Sequence, residues 1–160
     1  MNHGMSRERY YYDQVGVNSR LDTLQAAILR IKLGHLDSYR SARQEVAAYY
    51  DRELGSIEGV ETPKRSPFST HVFHQYTLKV NADKRDGLKQ WLTAKQIPSA
   101  IYYPVPLHLQ NAYRDLGYDN GDLPVSESLS TRVLSLPIHT EMEEEQLDYI
   151  CQQIKAYFKQ

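Results

Sequence analysis

Cysteine is almost missing from this chain: Cys151 stands alone among 160 residues, beside a single tryptophan, Trp91, and three phenylalanines. One cysteine cannot close an internal disulfide, which fits a reducing cytoplasm. Its place on the apolar side of a predicted helix gives it a packing role rather than a reactive one. Long apolar runs are also lacking. No stretch reaches bilayer-spanning length and no signal-peptide pattern precedes the first helix, so no membrane partner is expected. Charge is nearly balanced, 19 Lys and Arg against 20 Asp and Glu, with no block of five like charges. That removes the electrostatic footprint of a nucleic-acid binder. The longest acidic run, Glu143-Glu144-Glu145, suits the first turn of a helix, where the dipole favours acids. Phosphate-cradling glycine loops and a nucleophile elbow are absent. His71 and His74, three apart on a predicted strand, point to opposite faces, and His3, His35 and His139 have no partners at a metal spacing. No metal site is expected.

What is present reads as one layered domain. A chain of this length buries roughly two-thirds of its unfolded surface. Residues 1–17 are polar and Tyr-rich without a period and read as loop. The triplet Tyr10-Tyr11-Tyr12, with no basic surround, reads as packing rather than a stacking platform. A helix is expected from about Arg20, broken near Gly34, and a second from Asp37 to Leu54. Gly55, Gly59 and Pro63 mark turns. Alternation from Val72 to Val80 predicts a strand. Asp83 caps a predicted helix carrying Leu88, Trp91 and Leu92, with Pro98 beyond its end. Ser99 to Tyr103 reads as a short strand stopped by Pro104 and Pro106. Pro124 opens a helix to about Val133, and Leu134 to Ile138 gives another strand. Thr140 with Glu143 makes a capping box before the stripe Leu147, Ile150, Cys151, Ile154 and Phe158. The order is that of a layered α/β or α+β domain.

Two segments carry candidate chemistry. In Asn18-Ser19-Arg20-Leu21-Asp22, Ser19 can cap a helix with Asp22 three residues on, and Leu21, Leu24, Ile28 and Ile31 follow on one face. A helix start presents free N–H groups and partial positive charge, so it suits an anion such as phosphate. Asn18 adds an amide donor. Arg20 places a cation where the dipole disfavours one, at roughly 0.3–1 kcal/mol, which an anionic ligand would offset. The plainer alternative is a cap-adjacent Asn and a solvated Arg. In Tyr102-Tyr103-Pro104-Val105-Pro106-Leu107-His108, two prolines hold the loop extended and limit the flanking rings. Tyr and His offer hydrogen bonds with flat apolar faces, suited to sugar hydroxyls and a uracil ring. The alternative is a Tyr pair ending a strand, one ring in and one out, and a surface His.

The stretch from Gly16 to Asp22 with Leu24-Gln25-Ala26-Ala27, then Tyr103 to His108, then Leu134-Ser135-Leu136-Pro137, resembles the sugar-nucleotide aminotransferases of the DegT/DnrJ/StrS type. These are fold-type I enzymes dependent on pyridoxal 5'-phosphate. The resemblance spans nearly the whole chain in the family's order, and it is the register of three short strings that makes it specific. Family members carry a Schiff-base lysine upstream, and none of Lys32, Lys64, Lys79, Lys84, Lys89, Lys95, Lys155 or Lys159 has that motif around it. Asn2-His3-Gly4 resembles the loop that follows it. The resemblance therefore implies the C-terminal part of a transaminase, inactive alone. Residues 1–19 would be the tail of the large cofactor-binding domain, and 20–160 a long connecting helix and a small domain of a little sheet packed with helices.

The implied reaction moves an amino group from L-glutamate to a keto-sugar nucleotide, UDP-linked, for surface polysaccharide such as lipopolysaccharide. Asn18 would bond the cofactor phosphate of a neighbouring subunit, which implies a homodimer. Arg20, Tyr103, His108 and Tyr102 would face the substrate, with Tyr102 standing where close relatives often have His. A non-catalytic nucleotide-sugar-binding or assembly module is the competing class, and an inert truncated product is the third.

Overall fold

The structure is a computed structural model describing residues 21–160, the side chains at 111, 112 and 114 excepted. The chain forms two compact units, residues 1–37 and 38–160. In the first, α1 (Thr23–Leu33) is capped by Asp22, whose carboxylate accepts from the Gln25 amide at 2.8 Å. This corrects the expected start. The cap is Asp22, not Ser19, so the helix begins at Thr23 rather than near Arg20. Asp wins because its carboxylate satisfies an orphan helix N–H and carries the charge the dipole favours. The helix ends at Gly34, as the sequence predicts, and buries none of its residues.

In the second unit the elements run α2 (Leu36–Leu54, entering from the first), β1 (Val60–Glu61), β2 (Tyr76–Val80), α3 (Ala82–Ala94), α4 (Pro124–Arg132), β3 (Val133–Leu136) and α5 (Glu144–Phe158). Two 3-10 helices, Leu107–Leu109 and Asn111–Leu116, precede α4. The sheet is antiparallel in the order β1-β2-β3, with Tyr76 opposite Leu136 and Leu78 opposite Leu134. On β2 the period of two buries Tyr76, Leu78 and Val80. They meet Val46, Ala47, Tyr50 and Leu54 of α2, Leu88 and Leu92 of α3, and Leu147, Ile150, Cys151 and Ile154 of α5. The predicted α/β layering is what forms.

Several boundaries differ from the sequence reading, and β3 runs Val133–Leu136 rather than Leu134 to Ile138. β2 starts at Tyr76 rather than Val72, because Phe73 takes φ of 49° and Arg43 claims the Phe73 and His74 carbonyls. The predicted strand at Ser99–Tyr103 reduces to one bridge, Ala100 to Ser135, between flanking prolines that supply no N–H. Asn81 holds the N-cap position of α3 without a side-chain cap bond, and Asp83 lies in the first turn. The capping box of α5 is Glu143 with Gln146, whose side-chain oxygen accepts from the Glu143 amide at 3.1 Å, not Thr140 with Glu143. The sequence reading also missed the two-residue β1 and both 3-10 helices, which are too short to carry a period.

Candidate functional site

The second string of aromatic and proline residues forms an arm beside α4. Tyr103 is 72% exposed and Tyr102 44%, their rings edge-on at 5.7 Å. Neither ring is turned into the core, which overturns the one-in, one-out alternative. Under the arm lies a cleft of about 550 Å³ walled by Tyr102, Tyr103, Pro106 and His108 on one side and Leu129, Ser130 and Val133 on the other. The wall is apolar with a few hydroxyl and ring donors, the character of a site that takes a flat or sugar-like ligand. Among the described residues that line it there is no lysine or arginine.

His108 is no surface histidine. It is 6% exposed, its ring edge-on to Tyr118 at 6.4 Å, and its Nε2 lies 2.9 Å from Oε1 of Glu127. A carboxylate only accepts, so the proton sits on Nε2. Glu127 also accepts from the Gly121 amide at 2.9 Å and the Leu123 amide at 3.2 Å. Burial opposes its ionisation, but the Gly121 amide, His108 and the Leu123 amide outweigh it and hold the carboxyl below its usual range. Sequence reasoning passed over Glu127. Its only signal was an acid in the first turn of a Pro-started helix, which reads as a dipole partner.

A larger cleft of about 620 Å³ lies between Gln44 and the 63–75 loop, lined by Lys64, Arg65, His71 and His74 among others. His74 and Gln75 also line a groove of about 280 Å³ that runs to Tyr102 and Ser135. Arg65 is committed elsewhere, to Asp51 at 2.6 Å and over the Phe73 ring at 4.2 Å. Most of this wall is exposed loop. The cleft under Tyr103 is the better-built site, because its floor is a strand and a helix. Arg43, another residue the sequence did not flag, bridges two loops: one Nη donates to the carbonyls of Phe73, His74 and Ile138 at 3.1–3.3 Å. It ties the entrance of β2 to the exit of β3.

Asn18 and Arg20 lie outside the described residues. Of the expected site residues, the structure brings together Tyr102, Tyr103 and His108. Among the described residues no group of three or more His, Cys, Asp or Glu gathers to hold a metal. No described helix is long and apolar enough to cross a membrane.

The model of the DegT/DnrJ/EryC1/StrS aminotransferase family matches residues 1–155. The chain belongs to this family. A "pleiotropic regulatory protein" of Geobacillus stearothermophilus is 44% identical over 98% of this chain, which covers 42% of that protein. UDP-N-acetyl-3-dehydro-alpha-D-glucosamine 3-aminotransferase of Acidithiobacillus ferrooxidans is 42% identical over 96% of this chain and 40% of its own length. Among solved structures, DesV of S. venezuelae, in complex with a ketimine intermediate, superposes with a TM-score of 0.88 at 38% identity. The match takes in 99% of this chain and 42% of DesV. The chain thus spans about two-fifths of the relatives it matches.

Proposed function

We propose that this chain is the C-terminal part of a pyridoxal phosphate-dependent aminotransferase. It would move an amino group from L-glutamate to a UDP-linked keto-sugar, as a cytoplasmic homodimer serving surface-polysaccharide synthesis. The observation that carries the reading is the cleft under Tyr103, placed within the stretch matched to the family. Residues 1–19 belong in this reading to the large domain, and 20–160 to the connecting helix and small domain.

Pyridoxal phosphate is the cofactor this reading implies. A relative from Bacillus subtilis, 25% identical, holds it as PMP. Here the cleft wall offers hydroxyls and rings and no amine, so the described residues fit the sugar side of such a site. The amine falls to the large domain and the phosphate contact to Asn18. When bound, the cofactor supplies the electron sink for amino transfer, while the protein orients the reactants. Tyr103 and Tyr102 would stack on and hydrogen-bond the sugar nucleotide, and Arg20 would face its negative charge. His108, its Nε2–H engaged by Glu127, would wall the same cleft and hold the arm closed against water.

The test joins the chain to a large domain of the family and assays UDP- and dTDP-linked keto-sugars, since relatives of both names are known. Asn18→Ala is expected to weaken cofactor retention by about 1.5–3 kcal/mol, the worth of a hydrogen bond to a charged group. Arg20→Ala and Tyr103→Ala are expected to raise KM for the nucleotide sugar, with cofactor affinity little changed. If all three variants bind cofactor and substrate like the parent, the site assignment fails. Nucleotide-sugar binding with no turnover would favour the non-catalytic module.

A further inference from the structure

The segment from Tyr102 to Leu123 has little regular structure, only the two 3-10 helices. Yet it presents the exposed Tyr103 ring over the cleft. An unanchored loop of this kind would lose that ring's position to backbone entropy. The anchor is visible in α4. Glu127 turns back out of its own helix, and Oε1 meets Nε2 of His108 at 2.9 Å, the Gly121 amide at 2.9 Å and the Leu123 amide at 3.2 Å. Oε2 meets the Gly121 amide again at 2.9 Å. The two side chains are only 4% and 17% exposed, so water competes weakly for these bonds.

We propose that Glu127 is a positioning residue: through His108 on one side and the Gly121 and Leu123 amides on the other, it fixes the arm that carries Tyr103. The linkage from His108 back to Tyr103 is stiff. Pro104 and Pro106 lock two of the four intervening φ angles, so a shift at His108 reaches Tyr103 instead of being absorbed. Pro106 also begins the 3-10 turn that seats His108, with the Leu109 amide on its carbonyl at 3.1 Å. A residue serving only as a helix cap would need the Leu123 amide alone. The bond across to a buried histidine nineteen residues earlier makes Glu127 a clamp on the arm.

The inference rests on the proposed sugar-nucleotide site for its kinetic consequence, but not for its structural one. In the 160-residue chain, Glu127→Ala is expected to speed amide exchange across 103–110 as well as 119–124, with β2 and α5 unchanged. Glu127→Gln, which keeps Oε1, is expected to restore most of the protection. A mere cap would release 119–127 only, and unchanged exchange across 103–110 overturns the proposal. Should Glu127→Ala not fold, His108→Ala breaks the same bond from the other side and is read by the same criterion.

In the chain joined to a large domain of the family, Glu127→Ala is expected to raise KM for the nucleotide sugar about tenfold with kcat within about threefold, and Glu127→Gln less. Tyr103→Ala separates the two ideas. If it raises KM while neither Glu127 variant does, Glu127 is no positioning residue and the site stands. If Tyr103→Ala leaves KM unchanged, the site reading falls, and the exchange measurement alone decides whether Glu127 clamps the arm.

Discussion

At the residue scale, chemistry and burial separate cleanly in Cys151. It is 2% exposed in the stripe of α5, and burial pushes its thiol up to about 12. At pH 8 the thiolate is then about one part in ten thousand, and the thiolate is the nucleophile. An aromatic disulfide reagent is expected to label the folded chain far more slowly than the chain in guanidinium, by about a thousandfold or more. Comparable rates would show that α5 opens readily. Glu127 gives the complementary case. Its folded carboxyl is held below the usual value, so it adds stability above the unfolded pKa near ~4.3, and that stability is lost as pH falls through the folded pKa. Between about pH 5 and 3, the melting temperature of the parent is therefore expected to fall more steeply than that of Glu127→Gln. Parallel curves would contradict the depressed value.

Elements show where a local preference is overruled by a neighbour. Gly87 sits inside α3, where it costs about 1 kcal/mol against alanine. A Cβ there would stand 2.3 Å from the Tyr157 hydroxyl oxygen, and that hydroxyl donates to the Lys84 carbonyl at 3.1 Å. The close approach joins α3 to α5, with Trp91 Nε1 donating to the Gln153 carbonyl at 3.1 Å beside it. Gly87→Ala is thus expected to be neutral or to destabilise by about 1 kcal/mol, despite its propensity gain, because the Tyr157 bond is forfeited. In a Tyr157→Phe background the same change is expected to stabilise. A thermal-melt double-mutant cycle showing additivity would refute the contact. Asp51 of α2 plays a similar joining role. It accepts from the Tyr76 hydroxyl at 2.6 Å and pairs with Arg65, so the buried tyrosine of β2 has a partner; burial and that bond raise the Tyr76 pKa.

For the whole molecule, the lysines are placed away from the cleft or held by partners. Among the described residues no lysine lines the cleft under Tyr103, and Lys79 and Lys155 are paired with Glu61 and Glu53 at 2.6 Å. Lys95 lies over the Trp91 ring at 4.9 Å. The isolated chain mixed with pyridoxal phosphate and reduced with borohydride is therefore expected to show scattered, substoichiometric labelling by mass spectrometry. One lysine labelled stoichiometrically would mean that this chain builds an amine site of its own.

The sequence by itself determined the elements whose signal is local. Period-3.6 stripes set α2 and α5, alternation set the core residues of β2, Pro124 opened α4, and Gly34 closed α1. The motif strings carried the family. Tertiary structure decided where those elements stop. Phe73 and His74 follow the alternation yet leave the strand, because a guanidinium from α2, thirty residues away, takes their carbonyls. It also decided the place of His108. In sequence a histidine after two prolines reads as ligand or surface, and only the return of the chain at α4 brings Glu127 within 2.9 Å of it. A hydrogen bond between residues nineteen apart leaves no periodic trace in either segment, since each residue alone fits an ordinary role. The prolines beside Tyr103 were legible as an extended arm; the exposure of its ring and what holds it up were not.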